Sequence, residues 1–280
     1  MTVSRIGGLE FSTDESARLT IATLDGWYSG APVRSEVENR PNGDGAFGVN
    51  RVYKGARVIT QTGLIVAETM ADPLWMQFAG IQANGAPSEF EVFDEIPGWL
   101  TISVTLADAP TVGPLVGGVA SYVLQLVARD PIKYGPEMVA STGLPSAGGG
   151  LEYPLGDPAG ALYYGAIGDL GRVTLTNSGT ADVWPVFVVS GFLDAGFEIR
   201  CIDMGSVIRY DRVVPAGTTV TVDSRTGSVL IDGVSDGSTY LTRDEFFPVP
   251  AGGSCEVQFS AVGVGDANAV LTATVRPGWW

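Results

Sequence analysis

Residues 213–259, VVPAGTTVTVDSRTGSVLIDGVSDGSTYLTRDEFFPVPAGGSCEVQF, decide the fold class of this chain. The tetrapeptide Val-Pro-Ala-Gly stands at 214–217 and again at 249–252, and each copy leads into a run of alternating apolar and polar residues. Alternation with a period of two places one set of side chains on a buried sheet face and the other in water. Proline cannot donate to a neighbouring strand and favours strand entrances, while the following glycine tolerates a tight turn. The stretch therefore predicts two edges of one antiparallel β-sandwich.

The segment between the two copies predicts a β-hairpin. Residues 218–223 and 228–231 are strand-like, residues 224–227 form the connecting turn, and Asp232-Gly233 is a second turn signal. Further short strands separated by turns fill the C-terminal half, a pattern typical of a jelly-roll sandwich.

Composition limits the classes of function. The 280 residues suffice for one large or two medium domains, and only 17% of them are charged, against about 25% in an average domain. The net charge is −15 and Lys and Arg are not clustered, so we expect neither nucleic-acid binding nor attraction to anionic membranes. Residues 109–128 are uncharged, but their prolines, glycines and later alternation predict a turn and a strand rather than a membrane-spanning helix.

The chain contains no histidine, which removes imidazole acid–base catalysis, Ser-His-Asp and Cys-His nucleophiles and His-ligated metals. Its two cysteines, Cys201 and Cys255, lie in apolar strand-like runs. We expect buried free thiols, with a disulfide as the alternative, because two cysteines alone cannot complete a structural zinc site. We predict no catalytic residue, no cofactor and no metal site.

The N-terminal half predicts strands and one helix. Residues 52–68 read as a long strand or a pair of strands, with Gly55 and Gly63 as bulges or bends. The helix begins after Asp72 as N-cap, with Pro73 in its first turn, and ends at Asn84-Gly85. Its apolar residues at helical spacing are Leu74, Trp75, Phe78 and Ile81.

The glycine-rich segment 141–150, STGLPSAGGG, predicts a linker between two domains. We therefore assign residues 1–140 to an N-terminal β domain, 141–152 to the linker and 153–280 to a C-terminal β-sandwich.

Two kinds of candidate residue remain. A histidine-free hydrolase would need paired carboxylates, for which the candidates are Asp223, Asp232, Asp244 and Glu245. Aromatic residues on a sandwich can stack on sugars or fill an interface, and a terminal tryptophan pair can fold back onto its own domain or insert into a neighbouring subunit. The aromatic candidates are Trp27, Tyr28, Trp184, Tyr240, Trp279 and Trp280.

An ordered set of short motifs over nearly the whole chain resembles the distal tail proteins, also called minor tail proteins, of siphovirus-type bacteriophages. These motifs are Gly26-Trp27-Tyr28, Pro32-Val33-Arg34, Arg57-Val58-Ile59-Thr60, Gly63-Leu64-Ile65, the helix after Asp72, residues 124–131, Asn177-Ser178-Gly179-Thr180-Ala181 with Trp184-Pro185, the 223–233 hairpin, Phe246-Phe247 and both Val-Pro-Ala-Gly copies.

The resemblance implies a mainly-β chain: an N-terminal split-barrel-like domain with one α-helix, then a galectin-like or jelly-roll sandwich. It implies a homohexameric ring that caps the tail tube at the distal end of the virion tail. The implied partners are other copies of the chain, the tail tube protein, the tape-measure protein and the tail hub or baseplate proteins. It brings no catalytic residues. The leading hypothesis is a structural adaptor of the tail tip; the alternatives are a carbohydrate-binding module and a carboxylate glycosidase.

Overall fold

The computed structural model describes residues 1–34, 39–47, 52–69, 72–149 and 168–280. Over this part the chain divides into two compact units, residues 1–136 with Trp279 and Trp280, and residues 137–278. Strands predominate in both units, so the mainly-β prediction is confirmed. No helix in these residues has the length and apolar character of a membrane span.

Among its described residues, the first unit contains eleven strands, one α-helix, α1 (Pro73–Ala79), and the end of the chain. The strands are β1 (Val3–Ile6), β2 (Leu9–Ser12), β3 (Thr23–Asp25), β4 (Val33–Arg34), β5 (Tyr53–Lys54), β6 (Arg57–Val66), β7 (Ser88–Asp94), β8 (Gly98–Leu106), β9 (Thr111–Val112), β10 (Val119–Ala128) and β11 (Lys133–Tyr134). The main sheet has the order β2-β1-β7-β8-β10-β6-β3, and the hydrophobic run 119–128 is one of its long strands rather than a helix.

The main sheet closes on itself through the segment that precedes β3. The amide of Thr20 donates to the carbonyl of Leu64 in β6 at 2.9 Å, and the amide of Ile21 donates to the carbonyl of Ser12 in β2 at 2.8 Å. This segment therefore joins the two ends of the sheet. Closure leaves fewer unpaired strand edges and agrees with the barrel-like domain that the resemblance implies.

Gly63 makes the closure possible. It lies inside β6, whose pairing with β10 runs unbroken from Arg57 to Val66, so it is neither the bulge nor the bend that we predicted. A Cβ on Gly63 would lie 1.8 Å from the carbonyl oxygen of Thr20. The glycine is needed for the close approach of two backbones.

A chain of hydrogen bonds crosses the interior of this barrel. Ser4 donates to the Gln61 side chain at 2.7 Å, and Gln61 Nε2 donates to the hydroxyl of Tyr122 at 2.9 Å. That hydroxyl donates in turn to the carbonyl of Thr20 at 2.8 Å. Buried polar groups are tolerated when each finds a partner, and here they connect β1, β6 and β10 to the closing segment.

Helix α1 caps this interior. Asp72 is its N-cap, as predicted, and accepts from the amide of Leu74 at 2.9 Å. The helix ends at Gly80 and not at Asn84-Gly85, because the chain turns at Gln82, whose side chain bonds to the backbone of Val104 and Leu106. Phe78 is fully buried, with its ring centroid 5.0 Å from that of Tyr122. The aromatic stripe is thus core packing.

The second unit contains two antiparallel sheets. Their strands are β12 (Met138–Gly143), β13 (Arg172–Thr176), β14 (Val186–Ser190), β15 (Phe197–Cys201), β16 (Val207–Tyr210), β17 (Thr219–Asp223), β18 (Ser228–Ile231), β19 (Ser235–Asp236), β20 (Leu241–Asp244), β21 (Ser254–Ala261) and β22 (Val270–Val275). One sheet has the order β12-β22-β14-β17-β18-β19 and the other β13-β21-β15-β16-β20. The predicted β17–β18 hairpin is present.

The two Val-Pro-Ala-Gly copies form the same turn. The amide of Thr218 donates to Pro215 and that of Gly253 to Pro250, both at 3.1 Å. Gly217 and Gly252 adopt positive φ angles of 84° and 63°, which glycine tolerates best. One copy precedes β17 and the other β21, so they open strands in the two different sheets of the second unit. We predicted two edges of the sandwich, but β17 lies between β14 and β18 and β21 between β13 and β15, so neither is an edge strand.

The predicted linker, residues 141–152, overlaps the end of β12. Ser141, Thr142 and Gly143 pair with β22, because hydroxyl-bearing and small residues still fit a strand and the glycine run begins only at 148. Residues 150–152, and residues 153–167 of the predicted sandwich domain, lie outside the described part of the chain.

We predict that Gly63→Ala destabilises the first unit by about 3 kcal/mol or more, because the new methyl group must displace either Thr20 or the β6 backbone. Five of the six tryptophans belong to this unit, so tryptophan fluorescence during urea unfolding reports on it.

Gly30→Ala is the matched control, since its Cβ would meet no atom within 4 Å. Equal unfolding midpoints for the two variants would contradict the role given to Gly63.

Candidate functional site

The structure places Trp27 in the core, contrary to our prediction of an exposed stacking or interface residue. Only 1% of it is exposed, and its ring packs edge-on against Phe90 at 5.6 Å. The glycine before it explains this placement: Gly26 has a φ of 81°, and a Cβ there would lie 2.0 Å from the carbonyl oxygen of Val58. The turn packs tightly on β6 and directs the indole inward.

Two buried cations hold the backbone of this turn. Arg57 donates through one terminal nitrogen to the carbonyls of Gly26 and Ser29, each at 2.6 Å, and through Nε to Pro131 at 3.0 Å. Lys133 Nζ donates to the carbonyl of Trp27 at 2.9 Å and lies 5.3 Å from the centroid of its ring. Both side chains act as scaffolding for the first unit.

Burial changes the protonation of both groups. It lowers the pKa of Arg57, and burial followed by repulsion from Arg57 lowers the pKa of Lys133 to about 8. Attraction by Asp94 offsets part of the shift in Lys133. Our sequence analysis missed both residues. The sequence carries no signal for Arg57, because its face of β6 also contains Gln61 while the opposite face contains apolar residues such as Val58, so alternation does not mark it as inward.

Tyr28 lies at the surface, as a binding candidate should. It is 62% exposed, and its hydroxyl donates to Asp94 at 2.9 Å. Partial burial of the hydroxyl raises its pKa, and the bond to the Asp94 carboxylate raises it further. The hydrogen bond to Asp94 thus restrains the hydroxyl end of the side chain, while most of the ring is exposed to solvent.

The terminal tryptophans belong to the first unit and not to the sandwich that precedes them in sequence. Strand β23 (Gly278–Trp279) pairs with β11, and Trp279 packs against the hydrophobic core of the first unit. Trp280 is 38% exposed, with Lys54 Nζ 5.8 Å from its ring. We predicted folding back onto the same domain or insertion into another subunit; in this structure Trp279 packs instead on the core of the N-terminal unit.

Tyr240 contacts two residues that line a small cavity of the second unit, Tyr210 and Arg212, but it does not line that cavity itself. Its ring packs edge-on against Tyr210 at 5.9 Å, and the Arg212 guanidinium lies 4.2 Å from its centroid. The cavity has a volume of about 140 Å³ and is lined by Arg212, Val214, Val220 and Asp232, among others. Trp184, the other aromatic candidate here, is 38% exposed and is not among the lining residues.

The candidate carboxylates serve local structure. Asp223 accepts from the amide of Arg225, and Asp232 accepts from that of Thr219, each at 2.8 Å. The hydrogen bond from Arg243 lowers the pKa of Glu245, the opposite of what a general acid requires.

The outer face of β6 and β10 is an extended surface without charged residues. Val58, Leu64 and Val66 are 53%, 43% and 40% exposed. The outward residues of the two strands are Val58, Thr60, Thr62, Leu64, Val66, Val119, Ser121, Val123, Gln125 and Val127, and none is charged. An exposed apolar face of this kind is typical of an interface with another protein.

Comparison with solved structures gives this fold close precedents. The crystal structure of SPP1 Dit, described as a paradigm of the hub adsorption apparatus in phages that infect Gram-positive bacteria, matches 100% of both chains with a TM-score of 0.69 at 11% identity. Chains of the phage P2 baseplate in its activated conformation, with Ca and with Sr, match 98% of both chains at 11% identity, with TM-scores of 0.53 and 0.52. No protein-family model and no curated protein matches the sequence. The predicted resemblance is confirmed at the level of the fold.

We predict that Lys133 makes the first unit more stable as the pH rises. The folded pKa of about 8 lies below the usual 10.5, so between these values the unfolded chain binds more protons. From pH 7.5 to 9.5, the unfolding free energy of the wild type should gain about 2 kcal/mol relative to Lys133→Met. Urea unfolding at each pH, followed by tryptophan fluorescence, measures the difference. Parallel pH profiles for the two proteins would exclude this effect.

Proposed function

We propose that this protein is a structural adaptor of a siphovirus-type phage tail tip, located at the distal end of the virion tail. One observation carries the proposal: the complete chain shares its fold with SPP1 Dit from end to end. A match over both units is more informative than a match to one β-sandwich, which serves many unrelated functions. The phage P2 baseplate chains support the same assignment.

The proposed adaptor is a homohexameric ring that joins the tail tube to the hub or baseplate. Its partners are further copies of the chain, the tail tube protein, the tape-measure protein and the hub or baseplate proteins. The outer face of β6 and β10 is suited to contact between copies, since chains with a net charge of −15 repel one another unless they meet where charge is absent.

The proposed role requires no chemistry. Two findings support a non-enzymatic protein: the candidate carboxylates Asp223 and Asp232 hold turns, and the pKa of Glu245 is lowered rather than raised. The sequence also lacks the imidazole on which much acid–base catalysis depends.

We predict that Leu64→Lys weakens self-association about tenfold or more, because a buried lysine must lose its hydration without a partner. The mass of the purified chain in solution, measured over a range of concentrations by light scattering, gives the association constant. The wild type should form a ring-sized oligomer, alone or with the tube and hub proteins.

Val264→Lys provides the control, since this valine is 70% exposed but lies in the second unit. A wild-type monomer that binds neither tube nor hub protein would refute the adaptor. An intact oligomer in the Leu64→Lys variant would refute the assigned face alone.

Carbohydrate binding is a second candidate function, favoured by the cavity that Arg212 and Asp232 line, with the Arg212 guanidinium packed over the ring of Tyr240. The lining of this cavity combines a hydrogen-bond donor, the Arg212 guanidinium, and an acceptor, the Asp232 carboxylate, with apolar side chains. A sugar ring needs such a combination of hydrogen bonds and apolar contact.

A glycan array tests this candidate. Sugar-specific binding should fall about fivefold in Tyr240→Ala, since the ring holds the Arg212 guanidinium that lines the cavity and such a cation–π contact contributes about 1 kcal/mol. Phe192→Ala removes another exposed aromatic residue of the same unit and should leave binding unchanged. Absence of binding to any glycan would eliminate the candidate.

A further inference from the structure

Strand register brings the two cysteines and one aspartate together at an edge of the second unit. Cys201, at the end of β15, pairs with Val257 of β21. Continuing this antiparallel register by two residues places Asp203 opposite Cys255, and residues two apart on a strand share a face. The two sulfur atoms and a carboxylate oxygen of Asp203 all lie within 4.8 Å of one another.

The backbone fixes the carboxylate in this position. Asp203 Oδ2 accepts from the amide of Glu256 at 2.8 Å, and the amide of Ile202 donates to the carbonyl of Glu256 at 2.8 Å. The Asp203 side chain thus continues the hydrogen bonding to β21 just beyond the end of β15. Its second carboxylate oxygen, Oδ1, can face a ligand. Asp203 is exposed while both thiols are fully buried, so the cluster can be reached from the aspartate side.

Both cysteines are buried free thiols and do not form a disulfide. Burial raises the pKa of Cys255, and the neighbouring Cys201 adds to this shift. A cation of sufficient thiol affinity can displace the protons, since thiolate is the form that binds metal.

We propose that Cys201, Asp203 and Cys255 form a binding site for a thiophilic divalent cation, with Zn²⁺ as the best-suited ion. Zn²⁺ accepts thiolate and carboxylate ligands together and favours four-coordinate geometry. Binding converts two thiols and one cation into a dithiolate complex and releases two protons to solvent. These three residues would leave the fourth position of the ion to water.

A bound ion would cross-link the turn between β15 and β16 to strand β21. Cys201 and Asp203 flank the end of β15 and the turn before β16, while Cys255 lies near the start of β21. A bound ion ties this turn to β21, and ligands that bind only the folded state stabilise it by mass action. The site is independent of the tail-adaptor assignment.

Cobalt(II) is the probe for this site. The full chain, reduced and stripped of metal with a chelator, is titrated with Co²⁺ without oxygen. We expect one ion per chain and a thiolate-to-cobalt charge-transfer band, which disappears when Zn²⁺ is added because Zn²⁺ binds such ligands more tightly. Absence of the band would overturn the proposal, as would recovery of the two cysteines as a disulfide from protein purified without reductant.

Asp203→Asn is the decisive variant. It should weaken Co²⁺ and Zn²⁺ affinity by about tenfold or more, since it removes a charged ligand, while its amide oxygen can still accept from Glu256. Asp182→Asn is the matched control, because Asp182 is exposed and also accepts a backbone amide, from Ala251 at 3.0 Å. Cys255→Ser should remove the band, and circular dichroism verifies its fold. Unchanged affinity in Asp203→Asn would overturn the assignment.

Discussion

The unbroken pairing of β6 with β10 is the constraint on which the first unit depends. Ten residue pairs in one register fix which side chains of both strands point inward. The same register aligns Gly63 with Tyr122, so the missing side chain leaves space for the segment that closes the barrel. The inward set contains Gln61 and Arg57, and therefore the internal hydrogen bonds and the support of the Trp27 turn follow from it. The outward set is left uncharged.

The second unit relies on turn chemistry and one buried amide. Asn177 is 1% exposed and donates to the carbonyls of Ala181, Val249 and Pro250 at 2.8 to 3.2 Å. Its oxygen accepts from Gly179 at 3.0 Å and from Gly278 at 3.3 Å. One side chain thus joins three stretches that are distant in sequence, and a buried amide with all its groups satisfied favours a single arrangement.

The surface properties of the chain are consistent with an assembly component. Few side chains are charged, yet the net charge is strongly negative, so basic residues are scarce and contact between like-charged copies is restricted to neutral faces. Arg57 and Lys133 use their charge inside the molecule, on backbone carbonyls of one turn. Recognition of another acidic protein by such neutral faces depends on shape and apolar area rather than on opposite charges.

The sequence alone determined the features that depend on near neighbours: strand alternation, the 217–231 hairpin region, the twin Val-Pro-Ala-Gly turns, the Asp72 N-cap and the mainly-β class. Only the tertiary structure decided which strands meet. Alternation does not specify a partner, and in β6 both faces carry apolar residues, so the buried face could not be chosen from the pattern. The burial of Trp27, the return of Trp279 to the first unit and the meeting of Asp203 with two cysteines all depend on contacts between residues far apart in sequence. Such contacts are set by the global packing of the sheets, which no local periodicity encodes.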